Sequence, residues 1–146
     1  MSRLAPPTAV LFDVGDTLLA DGVLMAAVSN AAFSGRILTH ELVRARLAGY
    51  LQFVISSADI GIRKPAPEIF QHALRRLHVL AQETWFVGDT LDEDIAGAAI
   101  AGLTCCLLSA RPLPNGTPEG CRVVADWEEF YAEVVCLPQW TESMEH

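Results

Sequence analysis

Basic residues are scarce in this chain of 146 residues, which has 10 Lys and Arg residues against 18 Asp and Glu residues. The formal net charge is −8 at pH 7. Proteins that bind nucleic acids neutralise the phosphate backbone with clustered Lys and Arg side chains, and this sequence contains no such cluster. Nucleic acid is therefore excluded as a predicted partner. An acidic protein can still bind a single phosphate group at a local site that contains a cation and a lysine.

Long apolar runs and paired cysteine motifs are also missing. No stretch approaches the roughly 18 uninterrupted apolar residues of a membrane span, and the first residues run directly into a strand pattern, which argues against a signal peptide. We therefore predict a cytoplasmic protein with no membrane partner. The cysteines have no C-x-x-C spacing, which argues against a zinc site and favours buried free thiols; they are Cys105, Cys106, Cys121 and Cys136.

Short apolar runs alternate with segments of helical periodicity, a pattern typical of an α/β fold with a mostly parallel sheet. The runs are continuously apolar, as expected for strands covered on both faces. We predict a three-layer Rossmann-like fold in one domain over residues 1–146, with a flexible tail at 137–146. The predicted strands are 9–12, 23–28, 52–55, 84–87, 103–108 and 122–124, and the predicted helices are 39–51, 65–77, 92–101 and 126–135.

Polar residues follow three of the predicted strands. Asp13 follows the first strand, Ser29 ends the second, and Asp89 and Asp94 follow the fourth. Ligands of open parallel sheets bind at the carboxyl ends of the strands, so we expect these side chains to converge there, within reach of Lys64. Neighbouring carboxylates repel one another unless a hard cation lies between them, and Mg²⁺ prefers such oxygen ligands. A carboxylate aimed at a phosphorus atom can act as a nucleophile.

Four segments, in this order, resemble the motifs of the haloacid dehalogenase (HAD) superfamily. They are FDVGDTL at 12–18, VSN at 28–30, GIRKPAPEIF at 61–70, and VGDT at 87–90 followed by DIAGA at 94–98. Each has a plainer interpretation by itself, such as a turn, a solvated lysine or a helix cap. Four ordered motifs favour the functional interpretation. The resemblance implies an HAD-like fold and a Mg²⁺-dependent hydrolase, most simply a phosphatase.

The resemblance also implies a metal site and a nucleophile. Asp13 would be the nucleophile and a metal ligand, and the backbone carbonyl of Gly15 would be another ligand. Asp89 would complete the metal site, and Asp94 would support it directly or through water.

The substrate of such an enzyme is phosphorylated, and the resemblance implies which residues would bind it. Ser29 and Lys64 would hold the phosphoryl group, and Asn30 and Thr17 are assigned to substrate binding with them. Lys64 would also neutralise the charge that develops on the transferring oxygens.

One position departs from the family pattern. Phosphatases of the family usually carry an Asp two residues after the nucleophile, which protonates the leaving group and later activates water. Gly15 occupies that position here, and Asp16 is the candidate substitute. Because general acid catalysis is worth roughly 10²–10⁴-fold, we expect a preference for good leaving groups. A dehalogenase-type hydrolase and a catalytically weak binding or regulatory module remain alternatives.

A second departure concerns the cap domain that most relatives insert after the first motif. Only residues 18–22 separate Thr17 from the next apolar run, so we predict that the cap is absent. Parallel strands normally need a crossover of about a dozen residues, and this link has no room for a helix. One sheet face would then be partly bare. We predict a homo-oligomer in which a neighbouring chain covers that face and the open site.

Overall fold

Six parallel strands form the centre of the computed structural model, which describes residues 9–13, 23–130 and 132. The strands are β1 (Ala9–Phe12), β2 (Leu24–Ser29), β3 (Val54–Ser56), β4 (Thr84–Gly88), β5 (Thr104–Leu108) and β6 (Cys121–Val124). They lie in the order β3-β2-β1-β4-β5-β6, and every neighbouring pair is parallel. The predicted α/β fold with a parallel sheet is confirmed. The predicted tail at 137–146 lies outside the described residues.

Helices and helical turns follow β2, β3, β4 and β6. They are α1 (Gly35–Arg44), α2 (Ser57–Ile60), α3 (Pro67–Leu77), α4 (Ala96–Ile100) and α5 (Trp127–Phe130), with 3₁₀ turns at Ala48–Tyr50 and Ala81–Glu83 and a π-helical turn at Leu91–Ile95. The predicted helix 92–101 is therefore divided into a π-helical turn and α4. No helix within the described ranges is both long and apolar enough to cross a membrane.

Helix α1 differs from the predicted helix 39–51 at both ends. It begins earlier because its first N–H, that of Gly35, donates to the Asp59 carboxylate at 2.7 Å, a partner that lies 24 residues away. It ends at Arg44 because Arg46 has a φ of 60° and the Leu47 N–H returns to the Leu42 carbonyl oxygen at 2.8 Å. This is the geometry of a Schellman C-cap.

Both faces of the sheet are covered by apolar side chains. One face packs against α3 and α4, and the other packs against Trp127 and Phe130 at α5, whose ring centroids are 5.5 Å apart. The prediction of a partly bare face is wrong for the described strands. On the face towards α5 the buried strand residues are at most 5% exposed: Val10, Phe12, Met25, Trp85, Val87, Cys106 and Val124.

A second copy of the chain is therefore not needed to cover this face, and oligomerisation over the open site stays a prediction. No cap domain occurs among the described residues, and residues 14–22, where relatives insert it, lie outside them.

None of the three described cysteines forms a disulfide; Cys105 and Cys106 are buried, as predicted, whereas Cys121 is only partly buried. Cys105 and Cys106 belong to the clusters on opposite faces of the sheet, as their adjacent positions in a strand predict. Burial raises the pKa of the Cys105 thiol to about 11, so this thiol is protonated and unreactive at neutral pH. Cys136 lies outside the described residues.

The sheet reverses its direction of growth at β1. The chain adds β2 and β3 on one side of β1 and adds β4, β5 and β6 on the other side. Ligands of doubly wound sheets bind in the crevice at such a switch point, beyond the carboxyl ends of the strands. The ends of β1 and β4 meet there, and the Asp13 N–H donates to the Val87 carbonyl oxygen at 3.1 Å.

Candidate active site

Three carboxylates lie together at this switch point. Asp13 follows β1, Asp89 follows β4, and Asp94 lies in the π-helical turn. Each offers an oxygen atom that lies within 4.8 Å of the oxygen atoms of the other two. The expected convergence at the carboxyl edge of the sheet is therefore present in the structure.

Lys64, the only lysine of the chain, places its ammonium group between two of these carboxylates. Its Nζ atom donates to Asp13 Oδ1 at 2.9 Å, to Asp94 Oδ1 at 2.7 Å and to the Val28 carbonyl oxygen at 3.0 Å. These three bonds use all three N–H donors of the ammonium group. The residue is 3% exposed, so its charge is compensated within the protein and not by bulk water.

Asp94 organises the loop that carries Asp89. Its Oδ2 atom accepts the backbone N–H groups of Asp89 and Thr90 at 3.1 and 3.2 Å, and its own N–H donates to Thr90 Oγ1 at 3.2 Å. A Cβ atom on Gly88 would lie 2.5 Å from Asp94 Cγ, so this approach requires glycine. Both Asp94 oxygens already accept hydrogen bonds from the protein, and its predicted role as a metal ligand stays a prediction.

The electrostatics of the cluster leave negative charge uncompensated. Burial raises the pKa of Asp13, the Lys64 ammonium group lowers it through a hydrogen bond and its charge, and Asp94 and Asp89 raise it further. The pKa lies above its ordinary value of 3.8 on balance. Three carboxylates thus face one ammonium group. The donor atoms are all oxygens, the ligand set that suits a hard divalent cation such as Mg²⁺, so these residues fit the predicted metal.

Two predicted substrate-binding residues lie at the end of the neighbouring strand β2. Ser29 is 8% exposed, and its hydroxyl has no hydrogen-bond partner among the described residues. The Asn30 amide contacts the backbone of Lys64 at 2.8 and 2.9 Å. Their roles as substrate ligands stay predictions.

Three predicted site residues lie outside the described residues: Gly15, Asp16 and Thr17. Two contributions were missed by sequence reasoning. Glu93 accepts a hydrogen bond from Asn30, 63 positions earlier in the chain, at 3.3 Å. Thr90 caps the turn through its hydroxyl, and the signal for this was its position directly after the strand-ending Gly88-Asp89 pair.

Comparison with known proteins agrees with the resemblance of the four sequence motifs. Residues 10–108 match the family described as haloacid dehalogenase-like hydrolase. The chain is 36% identical over 88 residues to glyceraldehyde 3-phosphate phosphatase of Methanopyrus kandleri, covering 60% of this chain and 38% of that protein. It is 32% identical over 117 residues to phosphoserine phosphatase of Thermus thermophilus, covering 78% and 46%.

Among solved structures, the crystal structure of 2-haloacid dehalogenase from Pseudomonas syringae superposes with a TM-score of 0.64 at 27% identity, covering 77% of this chain and 46% of that chain. The chain spans less than half the length of each of these relatives.

Proposed function

Because this chain belongs to the haloacid dehalogenase-like hydrolase family, we propose that it is a phosphohydrolase that requires Mg²⁺ and forms an aspartyl-phosphate on Asp13. The observation that carries the proposal is the contact of a single buried ammonium group with Asp13 and Asp94 at the sheet's switch point. The similarity to named phosphatases supports phosphate esters as the substrate class.

Asp13 is the nucleophile in this proposal. Its Oδ1 atom accepts the hydrogen bond from Lys64, whereas its Oδ2 atom has no hydrogen bond within the described ranges, so Oδ2 is the oxygen that attacks phosphorus. A bond forms between Oδ2 and phosphorus as the bond to the leaving oxygen breaks. Water then attacks the phosphorus of the aspartyl-phosphate, inorganic phosphate leaves, and the Asp13 carboxylate is restored.

In this proposal, Lys64 and Mg²⁺ neutralise the negative charge of the phosphoryl group. Lys64 keeps the approach of a phosphate dianion to Asp13 from being repulsive and stabilises the charge on the transferring oxygens. Asp13 and Asp89, with Asp94 and the carbonyl of Gly15 as further candidates, would hold Mg²⁺. When bound, this ion supplies charge neutralisation at the phosphoryl oxygens. The position of the Ser29 hydroxyl at the carboxyl end of β2, with no hydrogen-bond partner in the described part of the chain, supports a role as donor to the same group.

The leaving group is where the proposal departs from the common pattern. The leaving oxygen must acquire a proton. The residue two positions after Asp13 is Gly15, whose side chain cannot donate one. Asp16 remains the candidate donor. The proposed best substrates are therefore activated aryl phosphates and acyl phosphates, because their leaving groups depart as stable anions that need no proton.

The test is Mg²⁺-dependent release of phosphate from p-nitrophenyl phosphate. The Asp13→Asn variant should lose this activity, because an amide is not a nucleophile. The matched Asp92→Asn variant should retain it, because Asp92 is exposed on the π-helical turn Leu91–Ile95. Activity that persists in Asp13→Asn would refute the mechanism. Mg²⁺ binding in calorimetry without turnover over a broad substrate panel would favour the regulatory module instead.

The likeness to 2-haloacid dehalogenase favours one second candidate. In that reaction Asp13 would attack carbon and displace a halide, and water would hydrolyse the resulting ester. A halide departs with one negative charge and no dianion needs to be neutralised. Chloride release from 2-chloropropionate that persists in EDTA would support this candidate over the phosphohydrolase.

A further inference from the structure

The amide side chain of Asn30 holds the backbone of Lys64 by two hydrogen bonds. The Lys64 N–H donates to Asn30 Oδ1 at 2.8 Å, and Asn30 Nδ2 donates to the Lys64 carbonyl oxygen at 2.9 Å. Together they fix the two peptide groups that flank the Lys64 Cα atom. They also fix the orientation of the amide, because only its oxygen can accept and only its nitrogen can donate.

The end of β2 also contacts the ammonium group of Lys64. Val28, two residues before Asn30, accepts a hydrogen bond from Lys64 Nζ at 3.0 Å. The end of β2 therefore contacts both the backbone and the ammonium group of Lys64. A lysine side chain has many rotamers, and its ammonium group can reach both carboxylates only if its Cα atom is held at the right distance.

A third contact joins this arrangement to the π-helical turn that carries Asp94. Asn30 Nδ2 donates to Glu93 Oε2 at 3.3 Å, and Glu93 immediately precedes Asp94. The guanidinium group of Arg63 lies 3.8 Å from the other Glu93 oxygen. Asn30 thus connects β2, the loop that carries Lys64 and the turn that carries Asp94, which are the three segments that must stay in register for the ammonium group to lie between its two carboxylates.

We propose that Asn30 is a positioning residue that sets the Lys64 ammonium group between Asp13 and Asp94, and that it is not a ligand of the substrate. Three of the four hydrogen-bonding positions of its amide are already used by the protein. The kinetic consequence of this inference rests on the proposed phosphohydrolase function, whereas its structural consequence for Lys64 does not.

The structural consequence can be measured without any activity. The measurement is the rate of acylation by an amine-reactive reagent, followed by peptide mass spectrometry. Because Lys64 is the only lysine, the modified peptide reports on this side chain alone, separately from the terminal amine. The buried wild-type ammonium group should react slowly. In Asn30→Ala we expect the rate at fixed pH to rise by about tenfold or more, since two hydrogen bonds that hold Lys64 are lost.

Two further variants keep this measurement decisive. Asn115→Ala changes the other asparagine of the chain, which is exposed in a loop, and should leave the acylation rate unchanged. If circular dichroism shows that Asn30→Ala does not fold, Asn30→Asp replaces it. That variant keeps the shape and the acceptor for the Lys64 N–H, but it places an anion against the Lys64 carbonyl and Glu93, so acylation should again be faster.

The kinetic readout separates positioning from substrate binding. With p-nitrophenyl phosphate, Asn30→Ala should lower kcat by about tenfold or more and change KM by less than about twofold, since the lost stabilisation belongs to the transition state. An unchanged acylation rate, or a raised KM with unchanged kcat, would overturn the inference. If the wild-type protein has no phosphatase activity, the proposed function fails, and the acylation rates still decide the role of Asn30.

Discussion

Replacement of Lys64 by methionine removes the only cation that contacts the acidic cluster within the described ranges. Methionine has nearly the volume of the lysine stem and can occupy the same apolar surroundings, where the ammonium group lies 5.5 Å from the centre of the Phe86 ring. The substitution therefore tests charge with little change in packing. Asp94 is 1% exposed, and the substitution leaves its carboxylate without an ammonium partner.

The expected cost is large because Asp94 cannot be hydrated. Removal of one partner from a buried ion pair typically costs about 3–5 kcal/mol, and Asp13 loses the same partner at 2.9 Å. Asp13 is partly exposed, with 31% of its side-chain surface accessible, so its share is reduced by water. We expect Lys64→Met to lower the free energy of unfolding by about 3 kcal/mol, measured by urea denaturation at pH 7 without Mg²⁺.

The pH dependence gives the sign of the effect. Lys64 lowers the pKa of Asp13, so its removal raises that pKa further above the unfolded value. A carboxylate with a raised folded-state pKa contributes stability below its unfolded pKa and loses that contribution as the pH rises through the folded pKa. The difference in the free energy of unfolding between Lys64→Met and wild type should therefore shrink as the pH is lowered towards about 4, where carboxyl groups ordinarily titrate.

A matched control is Arg44→Met, which breaks the exposed Arg44–Glu41 pair at 3.3 Å and should cost less than about 1 kcal/mol. The double variant Lys64→Met/Asp94→Asn should recover part of the lost stability, because the uncompensated carboxylate is gone. A loss in Lys64→Met as small as that of Arg44→Met would refute the reasoning, since it would mean that the Asp94 carboxylate does not need its ammonium partner.

Two further predictions concern the glycines near Asp13 and Asp94. Gly88→Ala places a Cβ atom 2.5 Å from Asp94 Cγ, and we expect it to lower the free energy of unfolding by about 1–3 kcal/mol in urea denaturation. The control is Gly49→Ala, whose added Cβ would meet no atom within 4 Å apart from its local backbone, and an equal effect of both would contradict this packing argument. Gly15→Asp should supply the missing acid: the rate with an alkyl phosphate should rise by up to about 10²-fold, while the rate with p-nitrophenyl phosphate changes little. A uniform change for both substrates would show that leaving-group protonation does not limit the reaction.

The parallel sheet and most of the acidic cluster could be predicted from the sequence. Buried parallel strands are continuously apolar, so their ends are visible locally, and the residues that follow them share one edge of the sheet by topology. Asp13 and Asp89 follow from this rule directly. The Lys-Pro sequence before α3 located Lys64 by resemblance to the family, and the structure places its ammonium group in contact with Asp13.

The start of α1, the cover on the second sheet face and the function of the Asn30 amide were decided only in the tertiary structure. The cap of α1 comes from Asp59, the face is covered by α5 from the far end of the described chain, and Asn30 contacts a residue 34 positions away. No local pattern encodes such contacts, because each depends on which distant segment the folded sheet brings alongside. The sequence thus determined which chemical groups stand at the edge of the sheet, and the packing of distant segments determined which of them hold one another in place.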